Sequence, residues 1–133
     1  VNKYKKLSNN ASSTEYSIIL RIAEQYLIRA EARAHQGDLI GAKQDLNVIR
    51  NKAGLPDTTA LSQTEIIDAL MAERRVELFT EMGHRFFDLK RTNTIDAVLV
   101  TTKPGWEAKD KLFPIPQMEL LTNPNLLPQN TGF

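Results

Sequence analysis

The chain has 133 residues, 41% of them apolar, which is enough for the core of one compact domain or part of one. Its 17 basic and 16 acidic residues nearly cancel and form no block of like charge, so a nucleic-acid or anionic-membrane surface is not indicated. It has no cysteine, which excludes disulfides, thiolate metal sites and cysteine nucleophiles from this sequence, and no apolar run of the ~20 residues that a bilayer span needs.

The sequence begins at Val1 with neither an initiator methionine nor the apolar core of a signal peptide, so we expect a fragment or a processed product. Residues 1–17 are mostly polar and are predicted to form a loop. From residue 18 to Gln36, apolar residues recur at helical spacing and predict an amphipathic helix. The positions expected to face the core are Ile18, Ile19, Ile22, Ala23, Tyr26, Leu27, Ala30 and Ala34.

A second helix is predicted from Leu39 to Ala53, with Ala42, Leu46, Ile49 and Ala53 facing inward. Gly37 can adopt the left-handed conformation that closes the first helix, and Asp38 is a favourable N-cap for the second. The two helices must pack as an antiparallel hairpin over residues 18–54, which resembles one tetratricopeptide-type unit. A lone unit cannot bury its outer face, so we expect neighbours outside this chain.

A third helix is predicted to start at a capping box formed by Ser62 and Glu65 and to continue to Gly83. After a bend at Gly83, one or two further helical turns are expected up to Arg91, within a segment that covers residues 62–92. Residues 93–133 form the irregular tail: an apolar run at 95–100 that is helix or strand, a polar loop, and a stretch rich in Pro and Asn with a short turn near 117–121.

Three carboxylates, Glu73, Glu77 and Glu81, recur every four residues and are predicted to share one helix stripe. They could be the paired carboxylates of a hydrolase. We favour the alternative, a structural network of ion pairs that fixes how the helix docks, because arginines lie at pairing distance along the chain. The predicted network consists of Glu73, Arg74, Arg75, Glu77, Glu81, Arg85, Asp88 and Arg91.

No metal site or cofactor is predicted. Glu81 and His84 have the Glu-x-x-His spacing of di-metal helix bundles, but the motif occurs once and Gly83 interrupts the helix between the two side chains. His35 is better explained as a favourable charge at a helix C-terminus. The phosphate-binding glycine motifs and the serine nucleophile motif do not occur.

Two aromatic residues are candidates for ligand binding. Trp106, beside Pro104 and Gly105 in a polar loop, could stack on the apolar face of a sugar ring, and Tyr4 is a weaker candidate of the same kind. The alternative for Trp106 is an indole folded over the edge of the core, which we favour because large aromatic side chains bury readily.

With these residues in view, the sequence resembles the C-terminal region of the SusD/RagB family of outer-membrane lipoproteins. The resemblance covers nearly the whole chain and is carried by four blocks in the same order and spacing. They are residues 20–32 after Lys3-Tyr4; residues 37–54 with Gly37-Asp38, Asn47, Arg50 and Gly54; residues 73–91 from Glu73-Arg74-Arg75 to Phe87-Asp88-Leu89-Lys90-Arg91; and Pro114-Ile115-Pro116 to Gly132-Phe133. One departure is Met82, where the family usually places a glutamate before Gly83.

The resemblance implies a mainly α, tetratricopeptide-like superhelix of helical hairpins with an irregular Pro/Asn-rich tail. It implies a non-enzymatic protein at the cell surface of Bacteroidetes-type bacteria, anchored in the outer membrane by a lipid on a cysteine that this chain lacks. Such proteins bind glycans, or in some members peptides, and deliver them to a SusC-type TonB-dependent transporter. Much of the ligand contact would come from loops outside this sequence.

Two other functions remain open at this point. A tetratricopeptide-like adaptor would hold a protein partner on its concave face. A carboxylate-based glycosidase would use Glu73 or Glu77 and would lose activity, with stability retained, in Glu77→Gln.

Overall fold

The computed structural model describes residues 19–133, and the chain divides into two compact units, Val1–Glu77 and Leu78–Phe133. All regular structure in residues 19–133 is helical, which confirms the predicted mainly α class. The first unit contains α1 (Ile22–His35), α2 (Leu39–Lys52) and α3 (Gln63–Glu77). The second contains α4 (His84–Arg91), α5 (Ile95–Thr102) and α6 (Gln117–Thr122), with short 3-10 helices at Ala108–Lys111 and Pro124–Leu126.

The turn between α1 and α2 has the predicted chemistry. Gly37 has a φ of +85°, in the left-handed region that glycine enters without a Cβ clash. Asp38 caps α2, since its Oδ1 accepts a hydrogen bond of 2.9 Å from the backbone N–H of Gly41. The two helices therefore reverse direction within a few residues and pack side by side.

The core of the first unit combines alanines on α1 and α2 with leucine and isoleucine side chains that all three helices supply. Its buried members are Ala23, Leu27, Ala30, Ala34, Ala42, Leu46, Ile49, Ile66 and Leu70. Alanines at the contact allow the two helix axes to approach closely, so that the leucine and isoleucine side chains fill the remaining space.

Three of the predicted core positions are wrong. Ile19 is 65% exposed and Ile22 is 76% exposed, because α1 starts only at Ile22 and that residue is rotated about 100° away from Ala23 on the buried stripe. Ala53 is exposed because α2 ends at Lys52. Ile18 lies outside the described residues.

The capping box that starts α3 is confirmed. Glu65 donates its backbone N–H to Ser62 Oγ at 3.3 Å, and its Oε2 accepts from the backbone N–H groups of Ser62 at 3.0 Å and Leu61 at 2.8 Å. These backbone hydrogen bonds, first that of Ser62, lower the pKa of the Glu65 carboxyl.

The predicted end of α3 at Gly83 is wrong. The helix ends at Glu77, and the turn that follows contains two non-glycine residues with positive φ, Thr80 at 61° and Met82 at 40°. The bend at Gly83 is confirmed: its φ is +71°, and α4 begins at the next residue.

The second unit has a smaller core made by Leu89, Ile95 and Trp106, with Phe86, Val98 and Leu99 packed against it. The apolar run at 95–100 is helical rather than extended. Two side-chain amides hold the chain near the C-terminus. Gln129 Oε1 accepts from the backbone N–H of Ile115 at 2.8 Å, and its Nε2 donates to the Ile115 carbonyl at 2.9 Å. Asn130 Nδ2 donates to the Phe113 carbonyl at 2.7 Å. None of the helices found in residues 19–133 is long and apolar enough to cross a membrane.

Candidate functional site

Glu73 on α3 is connected through Arg50 to α2 and to the loop that precedes α3. It is 7% exposed, and its Oε2 accepts a hydrogen bond of 3.1 Å from Arg50 Nη1 on α2. The same guanidinium donates from Nε to the Pro56 carbonyl at 3.0 Å. A buried carboxylate with a fixed cationic partner holds α2 and α3 in register.

Glu77, at the last position of α3, pairs with an arginine that precedes α1. Its Oε1 forms a close ion pair with Arg21, and the Arg21 Nη1 donates to the Glu77 main-chain carbonyl at 2.7 Å. A guanidinium at this position satisfies a carbonyl that the helix C-terminus leaves without an intrahelical donor and complements the helix dipole. The contact therefore ties the end of α3 to the start of α1.

The other residues of the predicted network are divided between the two units. In the first unit Arg74 is buried and Arg75 is exposed. In the second unit Asp88 and Arg91 form the predicted i,i+3 pair, with Arg91 Nε 2.9 Å from Asp88 Oδ1. Glu81 does not share a helix stripe with the other glutamates, because it follows the end of α3.

Sequence reasoning missed the arginines that hold the two glutamates, Arg50 and Arg21. They lie 23 and 56 positions away from Glu73 and Glu77. Local spacing carries no signal for contacts at such separations, whereas the predicted partners lay within a few residues. Both arginines lie within the four sequence blocks, Arg21 in residues 20–32 and Arg50 in residues 37–54, but neither was given a role there.

Asp45 on α2 is a second charged centre that the sequence did not indicate. It is 3% exposed and accepts three hydrogen bonds, from Arg29 Nε at 2.8 Å, Arg29 Nη2 at 2.7 Å and Arg33 Nη1 at 2.9 Å. The hydrogen bonds from Arg29 and its charge interaction with Asp45 raise the pKa of that guanidinium. The bidentate pair clamps α1 against α2 at the middle of the hairpin.

A shallow pocket of about 400 Å³ lies on α1, lined by Ile22, Gln25, Tyr26, Ile28 and Arg29. The Arg29 guanidinium carbon lies 5.2 Å from the centre of the Tyr26 ring, at a distance typical of a cation–π contact. The pocket is thus mostly apolar, with one aromatic face, one amide and one guanidinium.

The indole of Trp106 lies in the core of the second unit and is 9% exposed. Its Nε1 donates to Asp96 Oδ1 at 3.0 Å, and Lys103 Nζ lies 5.3 Å from the ring centre. Lys111 Nζ contacts the other oxygen of Asp96 at 2.6 Å, and these two hydrogen bonds, first that of Lys111, lower the pKa of the Asp96 carboxyl. Tyr4, the other aromatic candidate, lies outside the described residues.

Within residues 19–133, His, Asp and Glu side chains do not come together in any group of three or more that could hold a metal ion. Glu81 and His84 lie on opposite sides of Gly83, the residue that precedes α4. The two side chains are therefore not presented by one continuous helix.

The comparisons with known proteins agree with the fold. The sequence profile of the SusD family matches residues 1–133. Two SusD-like proteins of Formosa agariphila are 33% and 32% identical to the chain over 95% and 98% of its length. The crystal structure of a SusD-like protein of Bacteroides fragilis matches 87% of the chain with a TM-score of 0.70 and 31% identity. The chain spans 27% and 29% of the two Formosa proteins and 26% of the solved chain.

Proposed function

The chain belongs to the SusD family, and we propose that it is the scaffold part of a non-enzymatic cell-surface protein that binds a nutrient glycan. The observation that carries the proposal is the family match over residues 1–133, supported by a Bacteroides structure at 31% identity. The function of the whole protein is inferred from relatives of which this chain spans about a quarter to three tenths.

The proposed partner is a SusC-type TonB-dependent transporter, to which the protein would deliver an oligosaccharide. The proposed location is the outer face of the outer membrane, with a lipid anchor supplied outside this chain. Two observations on a longer, tagged protein that contains this chain would support the proposed partner and location. The transporter should copurify with that protein, and protease added to intact cells should digest it. A protein that copurifies with no transporter and resists protease in intact cells would contradict them.

Non-enzymatic binding is supported by the contacts of the two glutamates that a glycosidase would use. Glu73 is held by Arg50 and Glu77 by Arg21, so each carboxylate already has a cationic partner from another segment. A carboxylate held in this way is poorly placed to transfer a proton to a glycosidic oxygen.

Trp106 and Tyr4 remain the proposed ligand contacts in this chain. Because the indole of Trp106 is 9% exposed and Lys103 Nζ lies over its ring, a sugar would stack on the ring only after the Lys103 side chain moves. Trp106 is the single tryptophan of the 133 residues.

The test is a calorimetric titration of the longer protein with candidate oligosaccharides, with chromatography of the same samples. We expect saturable, stoichiometric binding and no change in oligosaccharide length. Trp106→Phe should weaken the affinity if the indole contacts the sugar, with Phe133→Leu as a control at an aromatic ring that is exposed. Cleavage of the glycan that is lost in Glu77→Gln would overturn the proposal.

A second candidate is a tetratricopeptide-like module that binds a protein partner, favoured by the exposed apolar residues on α1, Ile22 and Ile28. One experiment distinguishes the two proposed functions. A partner protein other than a transporter, recovered with the longer protein in the absence of glycan, would favour this second function.

A further inference from the structure

The turn after α5 holds a lysine over the ring of Trp106. The backbone N–H of Trp106 donates to the Lys103 carbonyl at 3.1 Å and closes a four-residue turn. Pro104 occupies its second position and Gly105, with a φ of +80°, its third, as in a type II β-turn. The turn therefore sets the separation between its two end residues, and Lys103 Nζ lies 5.3 Å from the centre of the indole ring.

The indole is fixed by a second contact, which leaves only its ring to a ligand. Trp106 Nε1 donates to Asp96 Oδ1 at 3.0 Å, and Lys111 Nζ holds the other oxygen of Asp96 at 2.6 Å. Because Nε1 carries a single hydrogen, a sugar hydroxyl could accept from it only by displacing Asp96. The part of the indole that a sugar can meet is thus the ring, over which Lys103 lies.

The charges around the indole balance in number, but one lysine differs from the others in its partners. Residues 95–111 contain three acidic and three basic side chains, namely Asp96, Glu107, Asp110, Lys103, Lys109 and Lys111. Lys111 pairs with Asp96 at 2.6 Å and Lys109 with Glu107 at 2.9 Å. The remaining carboxylate accepts from the backbone N–H of Glu107 at 2.9 Å. Lys103 is exposed, and no carboxylate of residues 19–133 lies within ion-pair distance of its ammonium group.

An ammonium group over an aromatic ring discriminates between ligands by their charge. A neutral sugar that stacks on Trp106 displaces the Lys103 cation from the ring and offers it hydroxyl acceptors. A sugar with an anionic group adds the attraction between two full charges to the same hydrogen bond. The cation–π contact that is lost is the same in both cases, so the acidic sugar has the advantage.

We propose that Trp106 and Lys103 form a subsite for an acidic sugar, one that carries a carboxylate or a sulfate group. The ring stacks on the apolar face of the sugar, and the Lys103 ammonium moves off the ring to pair with the anionic group. Asp96 is a positioning residue, since it fixes the indole through Nε1. This inference rests on the proposed binding of a glycan and adds the chemical class of that glycan.

The first test measures how far the longer protein is retarded in native gels that contain a polysaccharide. Polygalacturonate and alginate present carboxylates, chondroitin sulfate presents carboxylates and sulfates, and starch and dextran are neutral. We expect retardation by at least one of the acidic polymers. Carboxyl reduction or desulfation of that polymer should raise its dissociation constant about fivefold, and the treatment that does so identifies the anionic group that is bound.

The second test is Lys103→Met, which removes the charge but keeps a long apolar side chain beside the ring. We expect the dissociation constant for the acidic polymer to rise about fivefold, and that for its neutral derivative to change less than about twofold. Lys103→Arg should restore most of the affinity, because it restores the charge. Lys90→Met removes the same charge from an exposed position on α4 and is the matched control, with an expected change of less than about twofold.

Two results would overturn the subsite while leaving glycan binding intact. Retardation by the neutral polymers alone would show that the bound sugar carries no charge. An acidic polymer whose affinity is unchanged in Lys103→Met, or equally weakened in Lys90→Met, would show that Lys103 does not recognise the anionic group. Failure of every polymer and oligosaccharide to bind would instead contradict the proposed glycan function, and the subsite with it.

Discussion

Arg21 Nη1 donates a 2.7 Å hydrogen bond to the main-chain carbonyl of Glu77, across 56 positions of the chain. The same arginine pairs with the Glu77 carboxylate. The Arg21 side chain, which precedes α1, thus donates to the last carbonyl of α3 and neutralises the Glu77 carboxylate beside it. The first unit is closed by this contact at one end and by Asp45 at the middle of the α1–α2 hairpin.

Glu77→Gln should lower the stability of the first unit, because Glu77 has a structural role and no catalytic one. The amide keeps the size of the side chain but loses the charge that Arg21 meets, and the two side chains are only 26% and 21% exposed. We expect a loss of about 1–2 kcal/mol in the free energy of unfolding, measured by urea denaturation. Asp68→Asn, exposed on the same helix, is the control and should change it by less than about 0.5 kcal/mol. Unchanged stability of Glu77→Gln would contradict the structural role of the pair.

Asp45→Asn should be the more damaging substitution. Asp45 is 3% exposed and accepts from Arg29 and Arg33, so the amide would leave two guanidiniums facing a neutral group that also presents a donor. The expected loss is about 3 kcal/mol, seen as a lower urea midpoint. Asp57→Asn, in the exposed loop after α2, provides the comparison. Equal effects of the two substitutions would show that the Asp45 cluster is not needed for packing.

The stability of the second unit should fall at acid pH through Asp96. Its hydrogen bonds with Lys111 and Trp106 lower its pKa in the folded state below the 3.8 of a free aspartate. Because the folded state binds the proton less tightly, this contribution is complete above pH 3.8 and is lost as the pH falls through the lower, folded pKa. Urea midpoints followed by Trp106 fluorescence between pH 7 and about pH 2.5 measure it.

Asp96→Asn is the control for that series. Backbone hydrogen bonds also lower the pKa of Glu65, so only the difference between the two proteins belongs to Asp96. We expect that difference to shrink as the pH falls. A difference that stays constant from pH 7 to about pH 2.5 would show that the Asp96 contacts do not depend on its charge.

Thr80→Gly should stabilise the turn after α3. Thr80 has a φ of 61°, which a β-branched residue adopts at a cost of about 1–2 kcal/mol and glycine adopts freely. Allowing for the greater entropy of unfolded glycine, we expect a net gain of about 0.5 kcal/mol. Thr101→Gly is the control, because both threonines donate Oγ1 to a nearby carbonyl but Thr101 lies in α5. That substitution should lower stability, and a loss in both would contradict strain at Thr80.

The sequence predicted the parts of the fold that depend on neighbours in the chain. Gly37 and Asp38 end one helix and start the next, and Ser62 with Glu65 starts α3, each through contacts within a few residues. The resemblance to the family could also be read from the sequence, since it rests on the order of four short sequence blocks. Such features need no knowledge of how the helices pack.

Packing alone determined the contacts between segments. The number of charges in residues 73–91 predicted ion pairs, but the partners seen for Glu73 and Glu77 come from 23 and 56 positions away. Periodicity assigned Ile19 and Ile22 to the core, because an apolar side chain near the start of a helix gives the same pattern whether it is buried or exposed. The helix face that is buried, and the segment that buries it, depend on how distant parts of the chain come together in the fold. The local spacing of residues does not encode that arrangement.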